Sequence, residues 1–390
     1  MLIRRSGGFP LTAFYFFYFC ALGAFLPYWG PWLEMRGVAP FDIGILTAAV
    51  QFSKILAPNL WGWVGQRRGY GRAVVQASLA TALSFPLLGF AQDRFWPLLV
   101  ITLVFSFFWS ATLPLVDVAT LVWAERTGRV YGRIRLWGSL GFITLSLGMG
   151  VLAAHSGMAV FLPVMTAFLL LGWWCSRHLP FPQEATVSGV RTPEPDFLYR
   201  LQDRGLWFFL LAGLLEQASH GAYYAFYSID VERHGYGSGM VGLLWALAVL
   251  CEVVFFWFGD RWIRQMGLPA TFFLAFLLTV FRWAMIGWWP GLLWIVLVQT
   301  LHAASYGAFH LAAVRWVYGH FPEELRSRGM ALYASTVYGA GGALGALGAG
   351  WAWSHWGASG AFFSAAFVAL LGLLFLFPAH GGDRALEKTA

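Results

Sequence analysis

The sequence predicts an all-α membrane protein with twelve transmembrane helices in two pseudo-symmetric six-helix bundles, with the N- and C-termini cytoplasmic. Of the 390 residues, 59% are hydrophobic and only 11% are charged, whereas a soluble domain has about 25% charged residues. So few charges cannot cover a soluble protein of this length, but an apolar exterior suits lipid. The mean hydropathy of +0.65 agrees. We therefore expect a multi-pass protein of a bacterial-type inner (plasma) membrane.

Twelve apolar segments approach or exceed the length of about 20 residues that a helix needs to cross a bilayer. They are Phe9–Leu33, Phe41–Val64, Ala73–Ala91, Phe95–Ala124, Leu136–Ala154, Ala159–Ser176, Leu206–Ile229, Met240–Gly259, Leu268–Trp289, Pro290–Val317, Met330–Trp353 and Gly360–Pro378. The boundary between the ninth and tenth segments is the least distinct, because no charge separates them. The first segment is too long for a signal peptide and has no small-residue cleavage pattern, so we interpret it as a retained helix.

The distribution of basic residues supports this topology. With a cytoplasmic N-terminus, 20 of the 25 Lys and Arg residues fall on the cytoplasmic side, 3 fall outside and 2 lie within the membrane. Cytoplasmic loops of membrane proteins carry such an excess, and one missed helix would scramble the alternation. The net charge of +7 is therefore explained by topology, and no nucleic acid partner is expected.

A proline-rich polar stretch near the middle of the chain divides it into two halves. The predicted domains are residues 1–178, an N-terminal six-helix bundle, residues 179–204, a cytoplasmic linker, and residues 205–390, a C-terminal six-helix bundle. Arg133 and Arg328 lie 195 residues apart in short basic loops before glycine-rich helices. Internal repeats are typical of transporters that alternate access between two bundles. The glycine-rich run at 339–348 predicts close helix packing, not a phosphate-binding loop.

Several local motifs resemble the phenylpropionate-permease branch of the major facilitator superfamily, which is related to the lactose permease and nucleoside symporter branches. The matching segments are Leu56–Gly62, Pro114–Asp117, Tyr131–Gly138, Gln217–His220 with Tyr223–Tyr224, Leu244–Leu247 with Glu252, and Gln299 with Leu301–Ala303. They are spread over both halves and cover nearly the whole chain. As a set they are more specific for the branch than for a substrate.

The resemblance implies a secondary active transporter that carries a small organic solute with protons by alternating access. The solute it implies is an aromatic carboxylate such as 3-phenylpropionate. The partners would be this substrate, protons and the lipid bilayer. No cofactor is expected, since the proton gradient supplies the energy, and the protein is expected to be a monomer. A sugar or nucleoside proton symporter, and a proton/drug exporter of the same fold, stay open as alternatives.

Two positions depart from the superfamily pattern. The loop after the second helix carries Gln66 where an Asp is usual, which removes one carboxylate from a conformational latch. Ser305 occupies the position where the lactose permease resemblance places a proton-carrying Glu. The proton site cannot therefore be copied from that relative.

Ionisable residues within the apolar segments are the candidate functional residues, because each costs about 2.5–3.5 kcal/mol at the bilayer centre. They are Lys54, Asp117, Glu216, Glu252 and Arg282, with Arg135 about one turn inside. Asp117 and Arg135 each lie nine residues from Arg126, so they can meet across a helical hairpin. The resemblance implies an acid–Arg pair that contacts substrate or gates transport. The alternative is a structural ion pair.

Glu252 and Arg282 each lie fifteen residues from Gly267, and Arg282 and His302 each lie ten residues from Leu292. Arg282 can therefore face both side chains across two successive hairpins. An acid, an arginine and a histidine in one buried cluster can exchange a proton as the partners move. A static buried salt bridge is the alternative.

Four residues of the predicted site lie outside these two groups. Glu216 and His220 lie four residues apart on one helix face, either lining a cavity or joining helices through a protonated Glu216. Lys54 can pair with Asp117 or with a substrate carboxylate, since an unpaired buried carboxylate is costly. Gln299 is a possible hydrogen-bond donor to substrate. His155 and His310 are interpreted as packing or loop residues.

Other functional classes fit less well. The Gly- and Pro-rich signature of drug exporters is incomplete in the fifth segment, which has four glycines but no proline. A membrane enzyme or receptor is disfavoured because no metalloprotease helix, nucleophile elbow, nucleotide loop or large soluble domain is present. The cysteines, each within an apolar segment, are expected to be packing residues, not metal ligands or a disulfide framework.

Overall fold

The computed structural model describes residues 8–181 and 194–379, and these residues form helices and connecting turns without a β-strand. The first six α-helices are α1 (Gly8–Met35), α2 (Pro40–Arg68), α3 (Tyr70–Ser84), α4 (Phe95–Thr127), α5 (Tyr131–Ser156) and α6 (Phe161–Ser176). A 3₁₀ turn, Phe85–Phe90, extends α3, and a second, Met158–Val160, precedes α6.

The remaining helices are α7 (Glu194–Arg200), α8 (Arg204–Ser219), α9 (Gly221–Arg233), α10 (Ser238–Trp288), α11 (Leu292–Thr300), α12 (Phe309–His320), α13 (Arg326–Tyr333) and α14 (Gly342–Ala379). Two π-helical turns, Ala303–Ala308 and Ala334–Gly341, join α11 to α12 and α13 to α14. Asp203 caps α8, because its side chain accepts a hydrogen bond from the Gly205 amide at 2.8 Å. Residues 182–193 of the predicted linker, together with Arg4, Arg5, Arg384 and Lys388, lie outside the described residues.

Nine helical stretches in the described ranges are long and apolar enough to cross a membrane. Two of them far exceed the bilayer thickness, and each contains one glycine with non-helical dihedral angles, Gly267 and Gly357. At 1.5 Å per residue, a continuous helix would place Glu252 and Arg282 about 45 Å apart. Both side chains instead contact the imidazole of His302. The chain therefore reverses direction at Gly267, and α10 consists of two antiparallel arms.

A second reversal follows from the contacts of α14. A Cβ atom at Gly221 would collide with the backbone of Gly345. A Cβ atom at Gly372 would lie 3.2 Å from Cβ of Leu215. Gly221 and Leu215 are only six residues apart, whereas Gly345 and Gly372 would be about 40 Å apart on one straight helix. The chain therefore turns back at Gly357, within the predicted loop between the eleventh and twelfth segments.

The described residues group into two compact units. One contains the chain up to residue 181 together with Tyr227–Ala246, and the other contains residues 194–226 and 247–379. Tyr227–Ala246 joins the first unit because the Tyr28 hydroxyl lies within hydrogen-bond distance of the carbonyl oxygens of Ser146 (2.9 Å) and Ser238 (3.1 Å). These units differ from the predicted halves, which rest on sequence symmetry instead of contacts.

Small residues bring helices together in both units. In the first unit, a Cβ at Gly141 would collide with the carbonyl oxygen of Phe16, so α5 packs directly on the backbone of α1. In the second unit, a Cβ at Gly341 would approach the Leu214 carbonyl oxygen to 2.6 Å, and one at Gly345 would collide with Ala218. The predicted close packing of the glycine-rich run is therefore confirmed. In each case the first and fifth apolar segments of a predicted half are in contact.

We expect Gly141→Ala to lower the thermal stability of the detergent-solubilised protein, because overpacking a close contact typically costs about 1–3 kcal/mol. Gly148→Ala on the same helix is the matched control, since its added Cβ would meet only Leu145 Cδ1 at 3.8 Å. The control should match or exceed the wild-type melting temperature, because alanine favours helix over glycine. Equal melting temperatures for the two variants would contradict the α1–α5 contact.

Candidate functional site

A buried arginine organises the polar interior of the second unit. Arg282 lies on the second arm of α10 and its side chain has no exposed surface. Its Nη2 donates to Oε1 of Gln299 at 2.8 Å, and its Nη1 donates to Oγ of Ser305 at 3.2 Å and to Nδ1 of His302 at 3.0 Å. The guanidinium also lies over the ring of Tyr223, 4.5 Å from its centroid. The planar fork of arginine suits this convergence of acceptors.

The geometry fixes the tautomer of His302. Guanidinium groups only donate hydrogen bonds, so His302 Nδ1 must accept and carries no proton. In the neutral ring, the proton then sits on Nε2, which faces Oε2 of Glu252 at 3.6 Å. The Glu252 side chain is 18% exposed, whereas His302 is buried. His302 thus connects a permanent buried cation to a partly exposed carboxyl group.

The equal spacing of Arg282 and His302 about Leu292 correctly predicts their contact. The equal spacing of Glu252 and Arg282 about Gly267 also places both groups in one cluster, with His302 bridging them. The π-helical turn Ala303–Ala308 begins directly after His302 and brings Ser305 to the same guanidinium nitrogen. Such turns occur frequently at functional sites.

Gln299 is part of the same network. Its Oε1 accepts from Arg282, and its Nε2 donates to the hydroxyl of Tyr223 at 3.2 Å. In Gln299, the residue expected to donate to substrate, the amide oxygen and the amide nitrogen are therefore both already hydrogen-bonded. A substrate that binds this amide would therefore have to replace a partner that it already has.

Glu216 lies near the end of α8, and His220 lies at the break between α8 and α9. Oε1 of Glu216 accepts from Oγ1 of Thr279 at 2.6 Å, and Oε2 has no hydrogen-bond partner within the described residues. The ring of His220 donates from Nδ1 to the Glu216 carbonyl oxygen at 2.9 Å, which leaves Nε2 as an acceptor without a partner in the same ranges. Both side chains are 1% exposed. The break thus carries two buried acceptor atoms that a proton could satisfy.

The predicted direct pair between Asp117 and Arg135 is not formed in the described residues of the first unit. Asp117 Oδ1 instead accepts from the hydroxyls of Tyr15 at 2.5 Å and Tyr131 at 3.0 Å. The guanidinium of Arg135 lies over the ring of Phe19, 4.0 Å from its centroid, and 5.6 Å from that of Tyr15. Asp117 is therefore held by tyrosine hydroxyls of α1 and α5, and Arg135 lies over aromatic rings of α1.

Lys54 lies in the middle of α2 and makes no hydrogen bond or ion pair with any residue that the structure describes, Asp117 included. Its side chain is exposed. At 100° per residue, Lys54 points roughly opposite to the exposed apolar side chains of Phe52, Leu56 and Trp63. Lys54 shares its face with buried Thr47 and Gln51 instead. This cation is therefore accessible on the side of α2 that faces away from the apolar arc.

Several polar partners escaped the sequence reasoning. Tyr15, Tyr223 and Thr279 supply hydroxyl groups to Asp117, Gln299 and Glu216, respectively. Tyrosine and threonine are common in apolar segments, so composition does not single these positions out. Hairpin spacing does not identify Tyr15 as a partner of Asp117 either. Tyr15 lies on α1, and α2 and α3 separate it from the α4–α5 hairpin along the chain.

This chain is similar to known proteins both in sequence and in structure. The sequence model of the MFS_1 like family matches residues 9–365. The chain is 31% identical over 334 residues to the probable 3-phenylpropionic acid transporter of Escherichia coli (strain K12), covering 83% of this chain and 86% of the relative. It is 27% identical over 339 residues to the maltose permease of Geobacillus stearothermophilus, covering 86% and 85%.

Two solved structures extend this similarity. The nucleoside transporter NupG superimposes with a TM-score of 0.83 at 14% identity, over 97% of this chain and 99% of that chain. The human organic anion transporter MFSD10 superimposes with a TM-score of 0.62 at 17% identity, over 95% and 99%. At these identities the likeness establishes the fold alone.

We expect Thr279→Val to destabilise the protein, because the Glu216 carboxyl group loses the donor to its Oε1, a loss of about 1–3 kcal/mol for a buried polar group. Thr271→Val is the matched control: Thr271 is equally buried, and its Oγ1 bonds only to the Gly267 carbonyl oxygen of its own helix. Thermal unfolding in detergent should give a lower midpoint for Thr279→Val than for Thr271→Val. Matching midpoints would show that the contact with Glu216 contributes no stability.

Proposed function

The chain belongs to the MFS_1 like family, and from that premise we propose that it is a proton-coupled symporter of a small aromatic carboxylate such as 3-phenylpropionate. Members of this family are transporters and not enzymes, and the chain is a multi-pass membrane protein of the inner-membrane type. Its family requires no cofactor. The proton gradient as the energy source is part of the proposal.

The observation that carries proton coupling is the row Arg282–His302–Glu252. A partly exposed carboxyl group, next to a neutral imidazole held in place by a fixed cation, can bind and release a proton without dismantling the network. Ionisable residues within membrane segments commonly mark proton relays. Glu216 is a second candidate, since its Oε2 has no partner among the described residues and a proton there would neutralise a buried carboxylate.

The support for an anionic substrate is the accessible ammonium group of Lys54. A cation within a membrane segment is costly unless it is paired or serves a function. A substrate carboxylate would supply the missing anion. The relative that is named a probable 3-phenylpropionic acid transporter and the organic anion transporter of the same fold agree with this substrate class. The maltose permease and the nucleoside transporter represent the alternative, an uncharged sugar or nucleoside.

We further propose twelve membrane crossings with both termini in the cytoplasm and a monomeric protein that works by alternating access. Nine spans satisfy length and hydropathy in the described ranges. Because the chain reverses at Gly267 and at Gly357, two of these nine spans each count as two crossings. Helices α8 and α9 together form one more crossing. The cytoplasmic excess of basic residues supports the orientation. The pairing of first with fifth segments in both predicted halves supports the internal repeat.

In vesicles with reconstituted protein, we expect the external pH to rise when 3-phenylpropionate is added, because each substrate molecule enters with a proton. Lactose and a nucleoside serve as comparison solutes in the same assay. The Glu252→Gln variant should lose the alkalinisation, since its amide cannot carry the proton. External pH recorded with a glass electrode is the measurement.

Different outcomes of this assay overturn different parts of the proposal. A rise with lactose or the nucleoside alone would keep the symporter and discard the aromatic carboxylate. A full response in Glu252→Gln would exclude Glu252 as the coupling group. Proton efflux from acid-loaded vesicles on adding amphiphilic drugs, with no response to the three solutes, would favour the exporter.

We expect Lys54→Gln to weaken binding of 3-phenylpropionate roughly tenfold or more, because a hydrogen bond to a charged group contributes about 1.5–3 kcal/mol. Affinity for the uncharged analogue 3-phenylpropanol should not change. Isothermal titration calorimetry on the detergent-solubilised protein measures both.

The matched control is Arg94→Gln, which removes an exposed cation at the start of α4 that makes no ion pair with the described residues. Arg94→Gln should bind both ligands like the wild type. Equal losses for the acid and the alcohol in Lys54→Gln would mean that Lys54 shapes the site without contacting the carboxylate.

A further inference from the structure

Three rings form a column along the helical stretch that follows the Arg282 cluster. His302, Tyr306 and His310 are spaced four residues apart and therefore share one face. The rings of His302 and Tyr306 are stacked at 5.2 Å with an interplanar angle of 4°, and those of Tyr306 and His310 at 6.2 Å and 10°. The column begins at the imidazole that contacts Glu252 and ends two helical turns farther along the chain.

His310 has a close polar partner at the end of this column. Its Nδ1 lies 2.6 Å from the hydroxyl of Tyr338, and this hydroxyl lies 3.3 Å from that of Tyr333. The ring of Tyr306 is 6.4 Å from that of Tyr338. Tyr306, His310 and Tyr338 are each half-buried, whereas His302 is buried. The later part of the column is therefore partly exposed, whereas its start is not.

The backbone around these rings is also unusual. Tyr306 lies in the π-helical turn Ala303–Ala308, and Tyr338 lies in the π-helical turn Ala334–Gly341. Such turns are rare, and those that occur are frequent at functional sites. Each of these two turns places a tyrosine next to the same imidazole, that of His310. The packing of apolar residues alone would not require two such turns.

We propose that His310, held by Tyr338, is a second proton-binding site that receives the proton released by the Glu252–His302 pair. This inference rests on the proposed proton coupling and identifies the group that binds the proton next. The separation of His302 from His310, about 12 Å along the helix axis, is too long for one transfer. The proposed transfer therefore uses the Tyr306 hydroxyl and intervening water molecules to bridge the gap.

The proton balance of the transfer is complete. The Glu252 carboxyl group loses its proton and becomes a carboxylate, which the Nε2–H of His302 again faces. The proton is taken up by the ring nitrogen of His310 that accepts, which gives the imidazolium, and His310 then releases it to water. Imidazole suits this role because its unperturbed titration lies near neutral pH. The titratable groups that face His310 include Tyr306 on its own helix and Tyr338 across from it.

The first test separates net transport from exchange in vesicles containing the full-length protein. Net uptake of radiolabelled 3-phenylpropionate requires proton release in every cycle, whereas exchange of internal for external substrate does not. We expect His310→Gln to lower gradient-driven uptake at least about tenfold, since a positioned proton-transfer group typically contributes a hundredfold or more. Exchange should stay within about twofold of wild type. Tyr338→Phe should show the same split, to a smaller extent.

His355→Gln is the matched control, because His355 is an exposed histidine of the same unit whose Nδ1 bonds only to the Trp351 carbonyl oxygen of its own helix. It should leave both activities unchanged. A parallel fall of uptake and exchange in His310→Gln, with Tyr338→Phe unaffected, would overturn the proposal and make His310 a packing residue. Unchanged uptake would overturn it as well. Wild-type uptake that ignores the proton gradient would instead defeat the proton coupling on which the proposal rests.

A second test needs no substrate. Solid-state NMR of ¹⁵N-histidine-labelled protein in lipid should contain one imidazole signal pair that disappears in His310→Gln. We expect this pair to change with pH and its midpoint to shift in Glu252→Gln, because the two sites exchange one proton. A signal that does not change with pH, or a midpoint that ignores Glu252, would overturn the proposal even if 3-phenylpropionate is not the transported solute.

Discussion

The hydrocarbon interior of a membrane supplies no hydrogen-bond partners, so every polar group placed there must be satisfied by the protein itself. The described chain meets this constraint first with its backbone, which is helical almost throughout. It then meets it with side chains: Arg282 uses two nitrogens on three acceptors, and Asp117 collects two tyrosine hydroxyls. Lys54 and Oε2 of Glu216 are among the groups in the described residues that do not meet it, and they are the ones that we connect with a transported species.

Close packing gives these networks their precision. Glycines at 141, 341 and 345 let one helix backbone rest on another, with no side chain between them. Without hydrophobic attraction between helices in lipid, such contacts are a main source of association. They hold the helices at fixed separations, so that a guanidinium on one helix meets an imidazole on the next within hydrogen-bond distance. The glycine contacts and the polar contacts are therefore parts of one arrangement.

Part of this site could be read from the sequence because antiparallel neighbours place equidistant residues together. That rule predicts the contact of Arg282 with His302 across Leu292, and Gly267 is the residue at which the chain reverses. The same rule fails for Asp117 and Arg135, because Tyr15 comes from α1, which is not part of the hairpin. It also says nothing about His310, whose partner Tyr338 lies 28 residues away across a separate helix. Contacts within one hairpin follow from spacing, whereas contacts between distant segments depend on packing that no spacing encodes.

The pairing of one permanent cation with one titratable acid through a neutral imidazole has an electrical consequence. With Glu252 ionised the cluster has no net charge, and with Glu252 protonated it carries one positive charge. Moving one charge across the membrane changes the free energy by about 2.3 kcal/mol per 100 mV. A monoanion that travels with one proton would therefore leave the cell voltage without effect on accumulation. An uncharged sugar that uses the same proton would be driven by voltage, so the single charge on a substrate decides which component of the proton-motive force this protein can draw on.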